Sequence, residues 1–321
     1  MEHLNLDDSI KKSKNILIIT HVNPDGDALG SMIALRDLIY NHYKKKAEMM
    51  IVSKYPKMYE YLNGAKDIKH ISEFDNSMVY DMVILVDVAA LDRIFDAQIF
   101  YEKAMIKATI DHHKTNNYDA NIQFVESDAS STGEVLFQIA ENHGWKIDEN
   151  IAEAIYTAIL TDTGGFRFDN TSSRALKIAS KLVAAGANPK KVYKNCYESK
   201  SKNLVMFQAY CISKAEFSDN DKIAYTVVYK KDLEKFGGGE DFTEGLVEVL
   251  RAIETTEVAF ILKELDNKMF KVSMRSKNID VADVCSAFSG GGHKFAAGCV
   301  IKHNAKDAVK KLIELIKKQG V

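Results

Sequence analysis

The chain contains no run approaching the ~20 consecutive apolar residues needed to cross a bilayer. Its first eight residues, Met1-Glu2-His3-Leu4-Asn5-Leu6-Asp7-Asp8, lack the basic and apolar pattern of a signal peptide. Neither a membrane partner nor export is therefore expected. The four cysteines, Cys196, Cys211, Cys285 and Cys299, have no C-x-x-C spacing. They read as reduced thiols of a cytoplasmic protein. There is also little net charge: 43 Lys and Arg against 45 Asp and Glu give −2. That excludes a globally basic nucleic-acid glove but leaves room for a local basic groove. The short run Lys44-Lys45-Lys46 reads as a solvated helix end. Internal repeats and low-complexity tracts are absent. What remains is ordinary globular material, 46% apolar and 27% charged over 321 residues, enough for two domains.

The first half alternates strand and helix. Apolar strands are expected at Ile16–Thr20, Ala47–Ser53, Tyr80–Asp87, Met105–Ile110 and Asn121–Val125. Helices are expected from Ala28 to about Tyr43, over Ser131–His143, Ile151–Leu160 and Ser172–Ala185. Ser131 and Glu134 have capping-box spacing, and Gly186 closes the last helix. Apolar strands between helices imply a parallel sheet covered on both faces. After Gly186-Ala187-Asn188-Pro189 a lysine-rich helical stretch runs to about Ser218. The later part reads as strands at Lys222–Tyr229, Glu257–Leu265, Met269–Ser276 and Gly298–Lys302, with helices at Phe242–Ile253, Val281–Phe288 and Ala305–Lys318. The expected class is α/β: a parallel-sheet domain over residues 1–190, a helical connector over 191–218, and a smaller α+β domain with a mixed sheet over 219–321. An active-site cleft is expected between the two domains.

The chemistry concentrates at the ends of the first-domain strands. His21-Val22-Asn23-Pro24-Asp25-Gly26-Asp27 follows the first strand. Asp87 ends the third, and Asp111-His112-His113 ends the fourth. Thr161-Asp162-Thr163-Gly164 ends the apolar helix. In open α/β sheets such ends face one crevice. Each piece has a plain alternative: Asp-Gly is a turn former, an aspartate after a strand caps helices, and Thr-Asp-Thr-Gly is a helix stop. Two adjacent histidines beside an acid have little packing value, however. Together these carboxylates and imidazoles suffice to hold two divalent ions roughly 3.5–4 Å apart, the geometry of two-metal phosphoryl chemistry. Without thiolate, the donors favour Mn²⁺ over structural Zn²⁺, with Mg²⁺ as a substitute less suited to histidine.

The set His21-x-x-Pro24-Asp25-Gly26-Asp27-Ala28-x-Gly30-Ser31, Asp87, Asp111-His112-His113 and Thr161-Asp162-Thr163-Gly164 resembles the four motifs of the DHH phosphoesterase superfamily. Val272-Ser273-Met274-Arg275-Ser276, Asp280-Val281-Ala282 and Gly290-Gly291-Gly292-His293-x-x-Ala296-Ala297-Gly298 are similar to the associated DHHA1 domain. Order and spacing resemble the stand-alone bacterial subfamily of nanoRNase/pAp phosphatases. The resemblance implies two Mn²⁺ ions, His21 and Asp25 holding one, Asp27, His112 and Asp162 the other, with Asp87 bridging. Asp111 would orient the imidazole of its neighbour, and His113 would face the scissile phosphate or assist the leaving group. It implies hydrolysis by water acidified between the cations, acting on short oligoribonucleotides and on the 3′-phosphate of adenosine 3′,5′-bisphosphate (pAp).

The second domain suits the substrate's phosphate. Three consecutive glycines let backbone N–H groups approach an anion, and His293 follows at once. Strand alternation places Ser273 and Arg275 on one face, where Arg275 offers a planar fork. A phosphodiesterase for cyclic dinucleotides or linear pApA is the alternative with the same core. A family II pyrophosphatase has a different C-terminal domain, and a long-strand exonuclease needs further domains. A non-catalytic nucleotide-binding protein is the remaining rival. The apolar first-domain helices leave room for a homodimer.

Overall fold

Ile16–Ile19 and Met82–Val86 are buried at every position because both faces of their sheet are covered. The computed structural model describes residues 5–114, 116, 118–266 and 268–321; for Glu240, Asp241, Asp266 and His293 it describes the backbone alone. It divides into two units, Met1–Ser199 and Lys200–Val321.

The first unit runs α1 (Leu6–Lys12), β1 (Ile16–Ile19), α2 (Gly26–Tyr43), β2 (Ala47–Ile51), β3 (Ile68–His70), β4 (Met82–Val86), α3 (Gln98–Lys103), β5 (Ile106–Asp111) and β6 (Ile122–Val125). Four helices follow, α4 (Thr132–Asn142), α5 (Glu149–Asp162), α6 (Ser173–Ala184) and α7 (Pro189–Tyr197). The strands form a parallel sheet in the order β3-β2-β1-β4-β5-β6. The chain winds outward from β1 in one direction, then returns to start β4 on β1's other side. The crevice at such a reversal is where α/β sheets place their sites. It opens here beside His21, which follows β1, and Asp87, which follows β4.

Alternation splits the sheet's apolar residues between two cores. Ile16, Ile18, Ile84 and Val86 pack with α2, α4 and α5. Leu17, Ile19, Val83 and Leu85 pack with Phe100 and Tyr101 of α3 on the other face. Helix α5 is buried from Ile151 to Leu160, as its largely apolar sequence demands. It lies against α2 and α4 through small residues. A Cβ on Gly30 would stand 2.4 Å from the carbonyl oxygen of Ala154, and one on Gly133 would stand 2.4 Å from the Ala158 methyl. These close approaches fix how far along α2 the end of α5 lies.

The second unit contains α8 (Lys202–Ser213), β7 (Glu216–Ser218), β8 (Ile223–Val228), α9 (Lys230–Lys235), α10 (Leu246–Arg251), β9 (Val258–Asp266), β10 (Met269–Ser276), α11 (Val281–Ser286), β11 (Gly291–His293), β12 (Ala296–Ile301) and α12 (Ala305–Lys318). Its sheet has the order β11-β12-β10-β9-β8-β7 and is mixed, with β8 and β9 parallel. One face packs on α11 and α12 through Val272, Met274 and Leu312. On the other, α8 and α10 cover the β8–β9 side through Phe207, Leu246 and Leu250.

Three local expectations differ from what forms. The lysine-rich stretch after Pro189 is two helices, α7 and α8, the second capped by Ser201 on the N–H of Leu204. Val192 and Cys196 of α7 bury in the first unit's core, Phe207 and Cys211 of α8 in the second's. The helix expected over Phe242–Ile253 shortens to α10, because Gly245 adopts a left-handed φ of 73° at its start. Finally, Gly291–His293 is a strand paired with Ala296–Gly298 rather than an open turn.

Gly30→Ala tests the α2–α5 contact. In a helix this exchange normally stabilises, by up to about 1 kcal/mol. Here the added methyl meets backbone, so we expect destabilisation of about 1–3 kcal/mol, read as a lower thermal midpoint. A raised midpoint would refute the close approach.

Candidate metal centre

The loop after β1 carries His21, whose Nδ1 lies 2.8 Å from the Val22 carbonyl and whose Nε2 lies 3.3 Å from Asp87 Oδ2. Val22 N–H donates to the Arg93 carbonyl at 2.8 Å, tying this loop to the one after β4. Asp25 caps α2, its Oδ1 accepting the N–H groups of Asp27 and Ala28, both at 3.0 Å. Two residues on, Asp27 is buried. It accepts the N–H groups of Thr132 at 2.7 Å and Gly133 at 2.9 Å, so the N-terminus of α4 points at a carboxylate.

Asp87 leaves β4 with a left-handed φ of 57°, its own N–H bonded to Ile110 O at 3.1 Å. That is an uncommon conformation for a non-glycine residue, of the kind found where function fixes the backbone. It turns the carboxylate toward three imidazoles: His21, His112 Nε2 at 3.7 Å and His113 Nδ1 at 3.6 Å. Thr132 Oγ1 donates to it at 3.2 Å. His112 Nε2 also faces Asp27 Oδ2 at 3.8 Å and Asp162 Oδ2 at 3.7 Å. Asp162 ends α5, and Asn170 Nδ2 donates to its carbonyl at 3.1 Å.

The donors fall into sets whose ligating atoms lie within 4.8 Å of one another: His21, Asp25 and Asp87; Asp27, His112 and Asp162; and Asp87, His112 and His113. Asp25 and Asp27 thus belong to different sets, while Asp87 neighbours both. Asp111 departs from expectation. Its Oδ1 accepts from His113 Nδ1 at 2.8 Å and its Oδ2 from Asn116 Nδ2 at 2.8 Å. The imidazole it orients is that of His113, whereas His112 Nδ1 faces the Ala129 carbonyl at 3.4 Å. The reason is register: Asp111 is the last residue of β5, and its oxygen also takes the His112 and His113 N–H groups as the chain curls back.

Electrostatics shows what this arrangement wants. Burial, then the charges of Asp87, Asp162 and Asp25, push the Asp27 carboxyl well above the usual range. Burial and the charges of Asp87 and Asp25 do the same to Asp162. Burial would also push Asp87 up. The His21 hydrogen bond and charge, with His112 and His113, outweigh it and hold Asp87 at about 2. Burial lowers His113, but its bond to Asp111 and the Asp87 charge prevail and raise it to about 9. Protein groups alone thus leave Asp27 and Asp162 short of compensating positive charge. Oxygen and imidazole donors without thiolate fit hard or borderline divalent cations.

The partners of Asp27, Asp111 and Asp162 were not legible beforehand. Ser131-x-x-Glu134 marked where α4 begins, but not that its first N–H groups would meet Asp27. Nothing local flagged Asn116 or Asn170. In the second unit, Ser273, Arg275 and Gly290 line a groove of about 650 Å³ on the uncovered part of the sheet. Arg275 is ion-paired there, its Nε 3.0 Å from Glu248 Oε1. Gly291 and Gly292 lie in β11, where a Cβ on Gly292 would meet the Ala296 carbonyl at 2.5 Å. The His293 side chain lies outside what the structure describes.

Residues 15–159 match the N-terminal domain of the DHH family, and residues 220–319 match the DHHA1 domain. The chain is 30% identical over 292 residues to the bifunctional oligoribonuclease and PAP phosphatase NrnA of Bacillus subtilis, covering 89% of each chain. It is 29% identical to the probable bifunctional oligoribonuclease and PAP phosphatase NrnA of Streptococcus mutans, covering 90% of each. Its fold matches the crystal structure of an exopolyphosphatase-related protein from Bacteroides fragilis with a TM-score of 0.91, at 27% identity, covering 97% of this chain and 94% of that one. With a strand-end cluster of this make-up and relatives this similar over most of its length, the chain belongs to the DHH family and carries a DHHA1 domain in its second unit.

Proposed function

We propose that this chain is a Mn²⁺-dependent phosphoesterase of the cytoplasm that shortens oligoribonucleotides of a few residues from one end and removes the 3′-phosphate of pAp. The observation that carries the reading is Asp87, a single carboxylate between two donor sets at the sheet's reversal point. The names of the Bacillus and Streptococcus relatives support both activities. Two divalent cations, one on His21, Asp25 and Asp87 and one on Asp27, His112 and Asp162, would neutralise phosphoryl charge and acidify water.

The chain's own groups do the rest. The N–H groups of Thr132 and Gly133 fix both oxygens of Asp27, so this ligand has one orientation. Asn170 holds the end of α5. Asp111 fixes the His113 ring through Nδ1, and Nε2 has no protein partner among the described residues. That nitrogen is free to donate a proton to the departing oxygen. In the second unit Arg275 and Ser273 suit a phosphate, as do Gly290 and the backbone N–H groups of the edge strand Gly291–His293.

Asp87→Ala should lower Mn²⁺-dependent turnover about 10³-fold or more, since the His21 and Asp25 set loses its third member and the other set loses the carboxylate beside it; unchanged turnover would end the two-metal reading. Arg275→Ala should raise KM about tenfold, the worth of one charge-assisted hydrogen bond, with bound Mn²⁺ unchanged. A drop in Mn²⁺ content in that variant would contradict the separation of metal and phosphate binding. On labelled oligomers the rate should fall as length grows from the dinucleotide. Equal rates on a long single strand would remove the short-substrate claim.

A further inference from the structure

Beyond Asp162 the chain makes a loop whose shape the metal centre does not require. Gly164, Gly165 and Phe166 take left-handed φ values of 58°, 75° and 63° in succession. Three such residues in a row, one a bulky non-glycine, are held only because the surroundings over-determine them. Gly165 N–H bonds to the Leu160 carbonyl at 2.7 Å, and Phe168 N–H to the Thr163 carbonyl at 3.1 Å. Phe166 turns inward, edge-on to Tyr156 at 6.1 Å. Arg167 and Phe168 are thereby left outward.

What they form is a small aromatic and cationic surface. The Phe168 ring lies over Gly164, where a Cβ would stand 2.4 Å from it, yet the side chain is 46% exposed. One ring face rests on backbone and the rest is open. Tyr193 and Tyr197, one turn apart on α7, have ring centroids 5.0 Å apart, and a Cβ on Gly165 would stand 4.0 and 3.9 Å from them. Tyr197 is anchored through its hydroxyl to the Leu160 carbonyl at 3.2 Å, while Tyr193 is 47% exposed. Arg167 Nε donates to the Gly164 carbonyl at 2.7 Å, and the guanidinium has no carboxylate partner among the described residues. A guanidinium pinned at Nε keeps its Nη groups for a phosphate. Exposed aromatic faces beside such a group are the elements that hold single-stranded nucleic acid, each base stacking regardless of sequence.

We propose that Arg167, Phe168, Tyr193 and Tyr197 form a nucleotide subsite beside the metal centre, in which Arg167 takes a backbone phosphate and the rings stack the base of the nucleotide beyond the scissile phosphate. The proposal rests on the phosphoesterase reading above. It separates the two proposed substrates, because pAp has a single base and an oligonucleotide has a further one. The loop begins two residues after Asp162, one of the proposed metal ligands.

The test compares Arg167→Ala and Tyr193→Ala on pAp and on a trinucleotide, with Mn²⁺ content measured for each. The expected loss of kcat/KM on the trinucleotide exceeds that on pAp by about tenfold, carried by KM, as removal of one stacked base or phosphate contact predicts. Tyr193→Phe should restore the trinucleotide, since stacking needs the ring and not the hydroxyl. Equal losses on both substrates, or failure of Tyr193→Phe to rescue, would overturn the subsite. Fluorescence anisotropy with a labelled trinucleotide separates this result from failure of the activity itself. Wild-type protein that binds but does not cleave, with binding weakened by Arg167→Ala, keeps the subsite and removes the phosphoesterase. Cleavage of both substrates with kinetics and binding unchanged in the variants does the reverse.

Discussion

Repulsion among four aspartates is the constraint on which the first unit is built. Asp25, Asp27, Asp87 and Asp162 converge on one crevice, with Asp27 and Asp87 buried. A folded chain must offset that charge. It does so with three imidazoles around Asp87 and with the N-terminus of α4 against Asp27. Neither suffices for Asp162, which ends an apolar helix and would sit nowhere near its fellows without the α2–α5 contact. Gly30 allows that contact by bringing backbone within reach of backbone, and Gly133 lets α4 close on the Ala158 methyl of α5. Helix packing and site electrostatics are therefore one problem: the glycines set the distance, and the distance sets how closely the carboxylates crowd.

The sheet was legible because its strands are apolar on both faces and the polar clusters begin where those strands stop. The split of Asp25 and Asp27 between donor sets follows from their two-residue spacing at a helix start. The α2–α5 contact was not legible. Gly30 in a helical pattern signals nothing by itself, and Ala154 and Ala158 lie well over a hundred residues away. The partner of Asp111 is hidden in the sequence for a similar reason. Adjacency in sequence suggested His112, but the curl after β5 carries His113 back to the carboxylate. In the second unit, β11 hid behind its glycines. Low strand propensity there is overridden by pairing with the equally small Ala296–Gly298.

The two outward arginines show how the chain apportions positive charge. Arg275 is held in plane, with Nε on Glu248 and Nη1 on the Met274 carbonyl. An exposed pair of this kind is worth about 0.2–1 kcal/mol, too little to compete with a phosphate dianion for the remaining N–H groups. Glu248 therefore orients the fork without neutralising it. Arg167 is pinned by a neutral carbonyl and keeps its full charge. The left-handed run through Phe166 leaves the side chain outward, and the loop is bonded back on Leu160 and Thr163. The strain in that loop thus has a consequence: it leaves one cation without a carboxylate partner among the described residues and open to an anion arriving from solvent.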